Sequence, residues 1–155
     1  MDAYVRAYRA IFWAGFICGV LDGVSAIVVF AFFGSQPLRI FQGIASGLLG
    51  RGAFDGGVAT ALIGVALHFV VAFGAATVYF VASRWFPLLI DRALACGVLY
   101  GIAVHVFMSF VVIPMSAIGR RPIVLRSFIA VLIVHMVVVG PAISLSVRHW
   151  SKAGS

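Results

Sequence analysis

Four long apolar runs, each interrupted by only a few isolated polar residues, are separated by short clusters of Gly, Pro and Arg. A run needs roughly 20 residues to cross bilayer hydrocarbon as a helix. Four runs reach that length. Residues 11–33 close on Gly34-Ser35-Gln36-Pro37, and 57–83 on Arg84-Trp85-Phe86-Pro87; 93–113 stop at Pro114, and 127–147 leave through Arg148-His149-Trp150. The pattern predicts an all-α integral membrane protein, a single domain over residues 1–155, with four transmembrane helices in a bundle. Pro141 lies inside the last run and is expected to kink it, leaving the carbonyl four residues earlier free.

The stretch between the first two runs is different in kind. Over residues 38–52, Arg39, Gln42, Ser46 and Arg51 break up Leu38, Ile40, Phe41, Ile44, Leu48 and Leu49. It is too short and too polar to span, so an amphipathic interfacial segment is expected, flat in the interface or partly re-entrant. Gly43, Gly47 and Gly50 would permit close backbone approach there. Asp55, in Ala53-Phe54-Asp55-Gly56-Gly57, reads as the N-cap of the second spanning helix.

The first and third runs share a motif. Gly19, Val20, Leu21 and Gly23 match Gly97, Val98, Leu99 and Gly101 without a gap, with Cys18 matching Cys96 and Asp22 matching Tyr100. The second and fourth runs correspond more loosely, His68 with His135. Both halves start in the same direction, so the expectation is a 2+2 parallel internal repeat about an axis along the membrane normal. Gly15, Gly19 and Gly23, and Gly97 with Gly101, form small-xxx-small faces suited to close packing within the bundle or between protomers. The two cysteines read as small packing residues rather than a disulfide.

Composition sharpens the class. Of 155 residues, 64% are hydrophobic and 10% charged, whereas a soluble domain runs near half apolar and a quarter charged. The net charge of +7 comes from Arg residues placed singly or in pairs at the ends of runs, where they reach headgroups. No basic tract with interleaved aromatics supports nucleic-acid binding. Arg6, Arg9, Arg84, Arg92, Arg148 and Lys152 fall on one side, and Arg39, Arg51, Arg120, Arg121 and Arg126 on the other. That balance leans toward both termini being cytoplasmic. The basic N-terminus precedes an apolar run too long for a signal peptide.

The candidate chemistry is intramembrane. Asp22 sits near the centre of the first run, and His68, His105 and His135 lie one each on the next three, all about 3 Å off the midplane on the same side at 1.5 Å rise per residue. A carboxylate at that depth costs several kcal/mol unless paired or neutralised, which makes a histidine its expected partner. Ser25, Tyr100 and Ser109 could support such a site with hydrogen bonds. Three chemistries fit. The first is a pathway or binding site for a proton, ion or small solute. The second is a haem b site with His68 and His135 as axial ligands, which would make the chain a redox subunit. The third is a transition-metal site, whose metal is not specified by the spacing. A scaffold or accessory subunit with no site of its own is the remaining alternative. There is no glutamate, no GxSxG, no phosphate loop and no metalloprotease motif, so an enzyme is not expected. The expected partners are the lipid bilayer and further copies or a larger membrane complex, since 155 residues bury little alone.

Ile44-Ala45-Ser46-Gly47-Leu48-Leu49-Gly50, Ala53-Phe54-Asp55-Gly56-Gly57 and Ala66-Leu67-His68-Phe69, with Phe86-Pro87 and Gly97-Val98-Leu99-Tyr100-Gly101 further on, resemble the small four-span bacterial inner-membrane proteins of unknown function, the YagU-like group among them. The resemblance covers most of the chain. It implies a bacterial inner-membrane protein and carries over no active site.

Overall fold

A helix that is apolar on every face has no side to turn to water, so its length and its neighbours decide where it sits. The computed structural model describes residues 3–120 and 122–152. Helix α1 (Ala3–Ala31) crosses first. Helix α2 (Pro37–Leu49) follows a glycine turn, starts with Pro37 in its first turn and stops at Gly50, whose φ of 64° suits glycine. A 3-10 turn (Gly50–Phe54) leads to α3 (Gly57–Trp85), and the short α4 (Leu88–Asp91) closes the loop beyond it. The third span is α5 (Ala93–Phe107), a π-helical turn (Met108–Val112) and α6 (Ile113–Met115). The fourth is α7 (Leu125–Val134), a second π turn (His135–Val139) and α8 (Gly140–Lys152).

Four helices, Tyr4–Phe32, Gly57–Trp85, Ala93–Met115 and Leu125–Ser151, are long and apolar enough to cross a membrane. They outrun the apolar runs because the polar and aromatic flanks stay helical. Their outer faces carry exposed Val24, Leu62, Val70, Leu99 and Val137, apolar area that only hydrocarbon or another apolar surface covers without cost. There are no strands among the described residues.

The two π turns have one cause. Each ends two residues before a proline, at Val112 before Pro114 and at Val139 before Pro141. Proline brings no N–H, and its ring collides with the carbonyl one turn back. One wider turn relieves the collision, so the Ile113 N–H bonds the Met108 carbonyl and the Gly140 N–H bonds that of His135. The break expected at Pro141 takes this form.

Packing relies on small residues, as it must where lipid is as apolar as the side chains. Helix α1 lies between α3 and the fourth span, α5 packs on the fourth span, and α2 packs on α3. Ala14 and Cys18 of α1, Ala72, Ala76 and Tyr79 of α3, and Val139, Ile143 and Val147 form one buried cluster. The Gly15–Gly19–Gly23 face receives Phe73, Phe69 and His68 in turn. In the other seam a side chain at Gly101 would strike the His135 carbonyl, and one at Gly140 the Gly97 carbonyl. Both glycine faces are therefore used within this chain. Of the three glycines where close approach is expected, Gly43 and Gly50 face open space, whereas Gly47 meets the loop after α6, its carbonyl accepting from the Ala117 N–H at 2.8 Å; a tighter approach falls on Gly64 of α3, against the Phe41 carbonyl. Asp55 does not cap α3 either. Gly56 holds that position without a side-chain bond, and the Thr60 hydroxyl ties the turn by donating to the Ala53 carbonyl at 2.6 Å.

Candidate functional site

His68 sits on the α3 face that fills the glycine groove of α1. Its Nε2 lies 2.8 Å from the Gly19 carbonyl. A carbonyl only accepts, so Nε2 carries a proton and Nδ1 is left for other work. Nδ1 lies 3.9 Å from Asp22 Oδ2. That is ion-pair range and too long for a direct hydrogen bond. The two side chains are 11% and 24% exposed, so the couple is largely shielded. The Phe41 ring of α2 covers His68 edge-on at 6.5 Å. With its carbonyl on Gly64, α2 closes the outer side of this couple.

The second couple spans α5 and the fourth helix. The rings of His105 and His135 stand 5.2 Å apart at 63°. His135 Nδ1 is 2.9 Å from the Val131 carbonyl one turn back, so Nδ1 holds a proton and, in the neutral ring, Nε2 is bare. His105 is buried at 4% exposure, and its Nε2 has no hydrogen-bond partner. Phe128 packs on the His105 ring at 4.5 Å. Gly101 makes the couple feasible, because it lets the His135 backbone close onto α5.

The two couples lie in different seams, one between α1 and α3 and the other between α5 and the fourth span. Trp13, near the start of α1, stacks on Trp150, near the end of α8, at 6.0 Å, so the two helices run antiparallel. Cys18 and Val139 share the buried cluster. One turn on along α1 is Asp22, and one turn back along the fourth span is His135. Four helices thus contribute a titratable group each, arranged as Asp22 with His68 and His105 with His135. No three His, Cys, Asp or Glu side chains among the described residues come together in a way that could hold a metal. His68 and His135, the candidate haem ligands, belong to different couples, and each already has one ring nitrogen on a backbone carbonyl.

The supporting residues lie apart from the layer. Ser25 donates to its own helix, to the Leu21 carbonyl at 2.7 Å. Tyr100 donates to the Ala75 carbonyl of α3 at 2.7 Å and meets Tyr79 edge-on at 5.0 Å, joining the two halves of the bundle. Ser109 lines a cleft near the end of the third span. Cys18 and Cys96 are free thiols. Sequence reasoning missed Phe41 and Phe128, which cover the two histidine couples. Among 14 phenylalanines no spacing sets these two apart. It also missed Gln42, 1% exposed, whose Nε2 donates to the Gly57 carbonyl at 3.0 Å while its Oε1 has no partner.

No family model matches this chain, and no curated protein or solved structure is detectably similar to it. The geometry therefore stands on its own. Among the described residues, four helices are long and apolar enough to cross a membrane, consistent with a small polytopic membrane protein.

Proposed function

We propose that this protein binds or passes a proton, an ion or a small solute through the layer formed by Asp22, His68, His105 and His135, and that it does so without catalysis. The observation that carries this reading is the Asp22–His68 couple, a carboxylate and an imidazole facing each other at 3.9 Å inside helices that are otherwise apolar. Ionisable groups at such depth are expensive, and function is the usual reason they are kept there. A proton is the favoured species. Backbone contacts at Gly101 and Gly140 and the Phe69 ring at Gly19 close the bundle around the layer, leaving little room for a larger solute.

The same reading takes the chain as a 2+2 parallel repeat. His68 lies against Gly23 in one half, and the His135 backbone lies against Gly101 in the other; these are the positions that the sequence alignment pairs. We also read α2 as a partly re-entrant segment, because Phe41 meets Gly64 seven residues, or about 10 Å, along α3 from its start. A bacterial inner membrane with both termini cytoplasmic is the setting proposed.

The test is proton flux in proteoliposomes. Asp22→Asn is expected to assemble normally and lose the flux, and an unimpaired variant removes the reading. An absorption spectrum of the purified protein checks the competing chemistry. A Soret band that vanishes in His68→Ala or His135→Ala replaces this reading with a haem-binding redox subunit. Full function after apolar replacement of all four residues points to an accessory scaffold.

A further inference from the structure

His105 is the one member of the layer whose ring has a buried nitrogen without a partner. A buried imidazole nitrogen left unpaired costs free energy, so its surroundings should show what reaches it. On one side is His135. On the other is Phe128, in edge contact with His105 at 4.5 Å and with Phe110 at 6.2 Å. Phe110 in turn lines a cleft of about 340 Å³ together with Ser109, Ile113, Pro114, Arg120 and Ile123. Ser109 lies one turn beyond His105 along the same span, in the π turn set by Pro114. The cleft, Phe110, Phe128, His105 and His135 therefore form a continuous series, with a single aromatic ring between the cleft and the unpaired imidazole.

We propose that the cleft beside Arg120 is the water-filled mouth through which protons reach His105, and that Phe128 is the aromatic plug between them. The cleft carries two polar side chains, Ser109 and the exposed Arg120, beside the apolar Phe110, Ile113, Pro114 and Ile123. An apolar constriction of this kind gates by shedding water, and it conducts when the ring moves aside. A hydronium ion in the mouth gives its proton to the bare nitrogen of His105 and leaves as water. The His105 imidazolium so formed gives up one of its two protons to the bare Nε2 of His135 and is neutral again, while His135 Nδ1–H keeps its hydrogen bond to the Val131 carbonyl. The proton part of this inference rests on the function proposed above; the plug does not.

The test separates the two. The full-length protein in nanodiscs is treated with diethylpyrocarbonate, and acylation of each histidine is read by mass spectrometry, with exposed His149 as the reference. His105 is expected to react roughly tenfold more slowly than His149 in the unaltered protein, to approach it in Phe128→Ala, and to stay slow in Phe128→Leu. Proton flux in proteoliposomes should rise in Phe128→Ala and fall back in Phe128→Ala/His105→Ala. The plug is refuted if His105 reacts as fast as His149 from the start, or stays protected in a folded Phe128→Ala protein. If acylation rises without any flux dependent on His105, the plug stands and the proton path through His105 fails, while loss of flux in Asp22→Asn still decides the function proposed above. Should Phe128→Ala not assemble, Phe128→Val, smaller than the leucine that keeps the plug closed, is judged by the same criteria.

Discussion

His68 gives its Nε2 proton to the Gly19 carbonyl and turns Nδ1 toward Asp22 of the same helix, 3.9 Å from the carboxylate. At Gly23, one turn beyond Gly19, a side chain would begin 3.5 Å from Nε2, an ordinary packing distance, so the ring lies against this position without clashing. The carboxylate thus has a partner fixed in tautomer and in place by the backbone beside it.

This coupling should be measurable. Asp22→Asn and His68→Ala are each expected to destabilise the folded protein, and the double variant by less than their sum, with a coupling of about 1 kcal/mol, as for other polar pairs inside membranes. Thermal unfolding in detergent of the four proteins checks it. Strict additivity shows that the two side chains do not interact.

The seam between α5 and the fourth span tolerates no side chain. Gly101→Ala drives a methyl group into the His135 carbonyl, backbone against backbone, and is expected to cost about 1–3 kcal/mol or prevent assembly. Gly43→Ala meets open space and should be neutral within about 0.5 kcal/mol. Equal unfolding temperatures for the two variants contradict the packing described here.

Tyr100 joins the two halves through its hydroxyl on Ala75. Tyr100→Phe keeps the ring and its contact with Tyr79 but removes that bond, for an expected loss of about 1 kcal/mol. Proton flux, by contrast, should persist, since the hydroxyl stands outside the layer. Loss of flux with unchanged stability would move Tyr100 into the working site.

Pro141 sets the phase of His135. In Pro141→Ala the restored N–H can bond one turn back, and the π turn over His135–Val139 has no remaining cause. Tightening that turn rotates His135 relative to α8, away from His105. The expected outcome is a protein at least as stable, with impaired flux and a His105 that reacts faster with diethylpyrocarbonate. Unchanged reactivity at His105 argues that the π turn has a source other than the proline.

The candidate residues stand out in the sequence as the titratable groups inside the apolar runs. The spacing of Asp22 and the three histidines within their runs leads to the expectation of one depth, because helix rise is fixed and each span must fit one slab of hydrocarbon. The spacing did not give the pairing. Which helix neighbours which, and which face it turns, depends on crossings that runs of Val, Ala and Leu do not encode. The glycine faces were readable as sites of close packing, yet Gly101 could be matched to His135 only in three dimensions. For Asp55 and Gly43 local rules pointed to a cap and a close approach, and the turn was instead built by Thr60 and the approach by Gly64.

By itself the sequence determined the class, the four spans and the residues that are costly inside them, since each follows from one-dimensional length, hydropathy and burial cost. The tertiary structure decided the partners. It paired Asp22 with His68 and His105 with His135, widened the last two spans by a π turn before Pro114 and Pro141, and set Phe128 against His105, whose buried Nε2 has no hydrogen-bond partner. Contacts between elements distant in sequence depend on the packing of whole surfaces, and no local stretch of this chain carries that information.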